Sequence, residues 1–156
     1  MARELGVVSD YQAAEALLAS NHCTLGFDAT TQEHVHVNEI HFTTKDRCYS
    51  IALDELPGGT AEDYATHVLD SIENLAHVYA SFESQDSQEV KANLVRNVTN
   101  TLTDRCAANH ATIRILNTSW EKTLTELNCH LHPLDSVASK VRDTLKKYER
   151  QRSDIH

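Results

Sequence analysis

Hydrophobic and polar positions follow a strand-like pattern in the first third of the chain. Three runs rich in β-branched and aromatic residues, at about 23–31, 34–44 and 47–56, favour β-strands. In the third run Tyr49 and Ile51 are separated by a small polar residue, which fits the period-2 pattern of a half-buried strand. The links between the runs are short enough for hairpins, so the pattern predicts an antiparallel meander.

Helical spacing dominates the segments on either side of this meander. A capping-box pattern predicts a short helix over 9–19. Thr60 is the expected N-cap of the clearest helix, whose apolar residues recur every three or four positions up to Tyr79. Segment 83–89 is polar and fits either a loop or an exposed helix start, and the amphipathic stretch 90–95 follows it.

The second half of the chain returns to alternating strands and helices. This alternation predicts an α/β fold with a mixed five-stranded sheet, made of the antiparallel meander plus crossover strands and flanked by helices. The remaining predicted elements are a strand over 97–104, a helix over 107–120, a strand over 124–131 and an amphipathic helix over 134–150.

Composition and charge limit the classes of function. A content of 40% hydrophobic and 24% charged residues is ordinary for a globular chain, and we expect a helical lead-in over 1–22 and one domain over 23–156. The formal net charge of −9 argues against a free-standing nucleic-acid binder. Six of the fourteen Lys and Arg lie after residue 138, however, and they form either one basic face or a solvated helix surface.

Cysteine usage and hydropathy indicate the compartment. No apolar run approaches the roughly 20 residues that span a bilayer, and the first residues lack the apolar centre of a signal peptide. We therefore expect no membrane partner, an intracellular location and reduced thiols. The four cysteines are widely spaced and form no C-x-x-C pair: Cys23, Cys48, Cys106 and Cys129.

Two acidic residues, Asp28 and Asp104, end β-like runs. Two carboxylates on separate strands of one sheet are the best candidate for a divalent-metal clamp in this chain, because Mg²⁺ prefers carboxylate oxygens. Gly26 shares the strand face of Asp28 and is expected to leave space beside its carboxylate. The alternatives are a strand-end Asp28 that accepts hydrogen bonds from turn amides and an Asp104 that caps the next helix.

Two other polar features allow more than one interpretation. Asn109 fits either polar helix surface or a partner of Asp104, and the residue alone favours the surface. Cys129-x-x-His132 has the spacing of half a zinc site, but structural zinc normally needs four protein ligands and no second pair stands at matching spacing. We therefore expect a buried cysteine with a hydrogen-bonded histidine, and no zinc.

The order of elements, together with three segments, resembles the ribonuclease-H-like catalytic core of the hAT superfamily of DNA transposases over roughly residues 20–150. The resemblance implies that Asp28 and Asp104 are catalytic acids that bind Mg²⁺ or Mn²⁺, with DNA as the substrate. The segments that carry the resemblance are Leu25-Gly-Phe-Asp-Ala-Thr-Thr31, Leu102-Thr-Asp-Arg-Cys-Ala-Ala-Asn109 and Cys129-His-Leu-His-Pro-Leu-Asp135.

The same resemblance implies a nuclear protein derived from a domesticated transposon. The third acid of the family and its DNA-binding zinc finger have no match in this sequence. We therefore expect Mg²⁺-dependent phosphodiester cleavage or strand transfer on DNA as an ancestral activity that is incomplete in this chain. The alternative is a catalytically silent module that binds a protein partner, another copy of itself or nucleic acid.

The final helix carries an apolar stripe, which predicts that it docks on the sheet with its basic residues outside. If it binds DNA, contacts to phosphates are expected. The stripe consists of Leu134, Val137, Val141, Leu145 and Tyr148, and the basic residues are Lys140, Lys146, Lys147 and Arg150.

Overall fold

The computed structural model describes residues 2–32, 35–104, 106–129 and 137–146. The sheet has the strand order β3-β2-β1-β4-β5, in which β1, β2 and β3 are antiparallel and β1, β4 and β5 are parallel. The predicted α/β fold with a mixed, ribonuclease-H-like sheet is therefore confirmed. The elements are α1 (Ala2–Ala19), β1 (Cys23–Gln32), β2 (Val35–Thr43), β3 (Cys48–Leu56), α2 (Ala61–Glu83), α3 (Ser87–Asn97), β4 (Val98–Thr103), α4 (Ala107–Ser119) and β5 (Thr125–Asn128).

Helix boundaries correct or complete the predicted ones at two places. α1 begins at Ala2 rather than at Ser9, because the residues before Ser9 include good helix formers and the helix runs through the capping-box pattern. The polar segment 83–89 contains both predicted alternatives, a turn over 84–86 and the start of α3 at Ser87: Ser84 ends α2 in the left-handed conformation, with φ of 55°, and the Asp86 side chain caps α3.

One face of the sheet, the covered face, packs under the helices. Alternate residues of β1 and β2 point to it, so Leu25, Phe27, Ile40 and Phe42 are at most 1% exposed. α1 belongs to the same core rather than standing apart from it. The helix residues that share this core include Ala13, Ala14, Leu17, Val68, Ile72, Leu75, Val90, Leu94, Ile113 and Leu116.

The opposite face, the open face, has no helix among the described residues packed on it. Strand pairing places Gly26 opposite both His41 and Leu102, and Leu102 opposite Leu127, so these side chains share this face. Asp28, two residues after Gly26, lies on it too. The predicted helices therefore flank the sheet on one side within the described part of the chain.

The carboxyl-terminal helix departs most from expectation. Residues 137–146 are helical, but all ten are exposed, including Val137, Val141 and Leu145. The prediction that this stripe docks on the sheet is therefore wrong for these residues, because helical spacing reveals an apolar face but not the surface that covers it. None of the described helices is long and apolar enough to cross a membrane. Four residues of the predicted helix, Leu134, Lys147, Tyr148 and Arg150, lie outside the described residues.

Buried Cys23 leads to a prediction about alkaline pH. Its thiol donates a hydrogen bond to the Asn97 carbonyl oxygen at 3.1 Å, and burial raises its pKa from 9.0 to about 11, although nearby Lys122 lowers it. The unfolded thiol loses its proton above pH 9.0 whereas the folded one keeps it up to about pH 11. The stability from the neutral thiol is therefore complete below pH 9.0 and is lost as the pH rises to about 11.

We expect the free energy of unfolding to fall less steeply with pH over this window in Cys23→Ala than in the wild type. Urea denaturation at a series of pH values measures the slope. Cys48→Ala removes an exposed thiol and should keep the wild-type slope. Equal slopes in all three proteins would contradict the assignment to Cys23.

Candidate functional site

Strand alignment brings the two predicted acids together. Gly26 of β1 pairs with Leu102 of β4 in the parallel ladder, and each precedes an acid by two residues. Adjacent strands lie about 4.8 Å apart, and residues two positions apart point to the same side. Asp28, in the middle of β1, and Asp104, directly after β4, therefore lie on neighbouring strands and on the open face.

A cavity of about 150 Å³ lies between these two acids. It opens on the open face, beside the middle of β1 and the carboxyl end of β4. Both acids thus border one small space, which is the geometry that a shared cation or a shared substrate group requires. The residues around it are Phe27, Asp28, His41, Leu102, Thr103, Asp104 and Cys129.

Asp104 is held in place by the start of α4. Its Oδ1 atom accepts hydrogen bonds from the Cys106 backbone N–H at 3.0 Å and from the Asn109 side-chain amide at 2.6 Å. The N-cap of α4 is Cys106, so the alternative in which Asp104 caps the helix is wrong. Asn109 is only 3% exposed, which also corrects its interpretation as helix surface. One turn into α4, its amide faces back toward the strand end.

His41 fills the space that Gly26 was expected to leave open. A β-carbon at Gly26 would fall inside the His41 imidazole, so glycine is what allows this ring to lie against β1. The imidazole borders the cavity beside Asp28, and its Nδ1 atom is 4.0 Å from Glu39 Oε1. The sequence analysis missed His41, although the hairpin register of β1 and β2 would have placed it opposite Gly26.

Tyr64, in the first turn of α2, is the second residue that the sequence analysis missed. It was counted only as part of the apolar face of α2, and it is indeed only 7% exposed. Burial raises the pKa of its hydroxyl, and the negative charges of Cys106, Asp63, Asp104 and Asp28 raise it further. The Tyr64 hydroxyl therefore keeps its proton to a higher pH than an exposed tyrosine does.

Asp28 and Asp104 supply the type of ligand atom that a hard divalent cation needs, because Mg²⁺ and Mn²⁺ prefer carboxylate oxygens. Within the described ranges, no group of three or more His, Cys, Asp or Glu side chains could hold a metal ion. Cys129 borders the cavity, and its backbone N–H donates to the Thr103 carbonyl oxygen at 3.0 Å. His132 lies outside the described residues.

Comparisons with known proteins find similarity to solved structures but not to sequences. No protein-family model matches the chain, and no curated protein is significantly similar to it in sequence. Among solved structures, the catalytic domain of Mos1 transposase, determined with raltegravir and magnesium, is similar with a TM-score of 0.40 and 11% identity. That alignment covers 95% of this chain and 82% of the Mos1 domain. The case for a function therefore rests on the geometry of the chain itself.

Proposed function

We propose that this chain is a transposase-derived ribonuclease-H-like domain that binds Mg²⁺ or Mn²⁺ through Asp28 and Asp104 and acts on DNA phosphodiesters. The observation that supports it most is the alignment of an acid within β1 and an acid directly after the adjacent parallel strand β4, around one cavity. The resemblance of the sequence to hAT transposases supplies the substrate class, and with it a nuclear location.

The residues around the pair have separate roles in this proposal. Asn109 and the Cys106 backbone N–H fix the orientation of the Asp104 carboxylate, as outer hydrogen-bond partners do for metal ligands. Asp28 is exposed and keeps its oxygen atoms open to the solvent side of the cavity. His41 forms the wall beside it. A bound cation would neutralise charge on a phosphate group at this edge of the sheet.

The second candidate function is a catalytically silent module that binds protein or nucleic acid. Two observations favour it: the described residues contain no third metal ligand near the pair, and the formal net charge is −9. A cation held by two carboxylates alone is bound weakly, and an acidic body repels DNA. The two candidates differ in whether a cation at Asp28 and Asp104 leads to cleavage.

Cation binding is tested by thermal unfolding. We expect Mn²⁺ to raise the melting temperature of the wild type by roughly 3–6 °C at ten times the dissociation constant, which corresponds to about 1.4 kcal/mol. Asp28→Asn and Asp104→Asn should abolish this rise. Asp46→Asn is the control, since Asp46 is an exposed acid in the β2–β3 turn, at the other end of the sheet. A rise that persists in Asp28→Asn would place the cation elsewhere.

Cleavage then separates the two candidates. Wild-type protein is incubated with supercoiled DNA and Mn²⁺, with Asp28→Asn as the matched inactive variant. Nicking by the wild type alone supports phosphodiester chemistry. A metal-dependent rise in melting temperature without nicking indicates the silent module with a retained cation site.

A further inference from the structure

The open face of the sheet has no cover among the described residues, and it exposes four large apolar side chains among polar residues such as Asp28 and Glu39. The large apolar side chains that are exposed on the described strands all point to this face, and they are between 37% and 68% exposed. Leu102 and Leu127 are paired neighbours on β4 and β5, so they form one apolar patch that packing against another surface would cover. These side chains are Val35, Leu53, Leu102 and Leu127.

The helix over 137–146 is a second apolar surface without a cover. Val137, Val141 and Leu145 are between 53% and 61% exposed and are spaced four residues apart, so they form one stripe. Lys140 and Thr144 lie on the same side of the helix, beside this stripe. A helix whose apolar stripe faces water gains stability by packing that stripe against another surface.

The two surfaces belong to oppositely charged parts of the chain. Residues 1–138 contain eight Lys and Arg against twenty Asp and Glu, a net charge of −12, whereas residues 139–156 contain six against three, a net charge of +3. Locally, the open face carries Glu39 and Glu55, and Lys140 borders the stripe. Charge as well as apolar area therefore makes the helix complementary to the open face.

We propose that this chain forms a two-fold symmetric dimer in which helix 137–146 of each copy packs on the open face of the other copy. In the structure the helix does not cover its own sheet, since all ten of its residues are exposed. When the two copies exchange their helices, each helix covers the open face of the other copy. Both halves of the dimer then make the same contacts, as in an isologous interface. Nucleic acid is a poorer occupant, because it would leave the apolar stripe in water.

This arrangement also places the helix of one copy near the Asp28–Asp104 cavity of the other. Leu102 belongs both to the open face and to the residues around the cavity. The dimer itself does not depend on the proposed cation site or on any catalytic activity.

The test is the mass of the full chain in solution, measured by light scattering after size exclusion and by sedimentation equilibrium. We expect the wild type to have twice the 17.5 kDa chain mass. Leu127→Lys on the open face and Val141→Lys on the helix should each weaken dimerisation at least tenfold. Leu5→Lys changes a 65% exposed leucine of α1 and should leave the dimer intact. Circular dichroism checks that each variant is folded.

A mixture of the two weakened variants distinguishes this interface from other ways in which the chain could form a dimer. Leu127→Lys keeps an intact helix and Val141→Lys keeps an intact open face, so a mixture should form a heterodimer through one native contact. A wild type that is monomeric would overturn the proposal, whether or not its helix binds DNA in a salt-dependent way. A dimer that survives Leu127→Lys would also overturn it, since helix would then pair with helix.

Discussion

Replacement of Phe27 by alanine is expected to lower the free energy of unfolding by about 3–5 kcal/mol. Phe27 lies on β1, the central strand of the sheet, where its side chain is 1% exposed and packs into the core under the helices. Truncation removes apolar area from the core and leaves a void that a close-packed interior fills only in part. Domains of this size have about 5–15 kcal/mol of total stability, so the variant should lose a large share of it.

Urea denaturation, followed by circular dichroism, measures the difference. Leu5→Ala is the matched control, because Leu5 lies on α1, outside the open face of the sheet, and is 65% exposed. We expect its cost to stay within about 0.5 kcal/mol. Similar losses in the two variants would contradict the assignment of Phe27 to the buried core.

The meander was predictable because its strands carry local signals. Tyr49 and Ile51 alternate with smaller residues, and hairpin links join neighbours in sequence, so pattern and pairing agree. The position of β4 beside β1 is not local, since these strands pair across more than 70 residues. That pairing was expected from the resemblance to a known fold rather than from periodicity.

The acids of the candidate site were predictable, but most of their surroundings were not. Asp28 stands out because strands contain few aspartates. Three other residues look ordinary within their own elements. His41 is a strand residue, Tyr64 is at an apolar helix position, and Asn109 is a polar helix residue. Their part in the site comes from contacts between elements, which no spacing within a single element reveals.

The packing of the carboxyl-terminal helix was also not predictable from the spacing of its own residues. The spacing of Val137, Val141 and Leu145 predicts the apolar stripe, and the stripe is present. The surface that covers it depends on where the preceding chain places the helix, and hydrophobic periodicity carries no information about that. Sequence therefore predicted the helix and its stripe, and the structure corrected its packing.

The hydrogen bond between Asn109 and Asp104 leads to the last prediction. Asn109 is 3% exposed, and its amide donates to Asp104 Oδ1 at 2.6 Å. Replacing Asn109 by aspartate turns this donor into a second carboxyl group beside the first. Two carboxylates at this distance in a buried position cannot both be ionised at low cost, so the apparent pKa values of the pair must rise in the folded protein.

We expect Asn109→Asp to cost about 3 kcal/mol at neutral pH, of the order found when a buried charge loses its partner. Unfolded aspartate has a pKa of about 3.9, so the penalty is absent below that pH and grows as the pH rises toward the raised pKa of the folded pair. Urea denaturation across this pH range measures the penalty.

Asn74→Asp is the matched control, because the Asn74 amide donates to Asp10 at an exposed position, at 3.2 Å. There the added charge is hydrated and screened by salt, and the cost should stay below about 1 kcal/mol. Equal costs for the two variants, or a cost for Asn109→Asp that does not change with pH, would show that Asn109 does not hold Asp104 in a buried site.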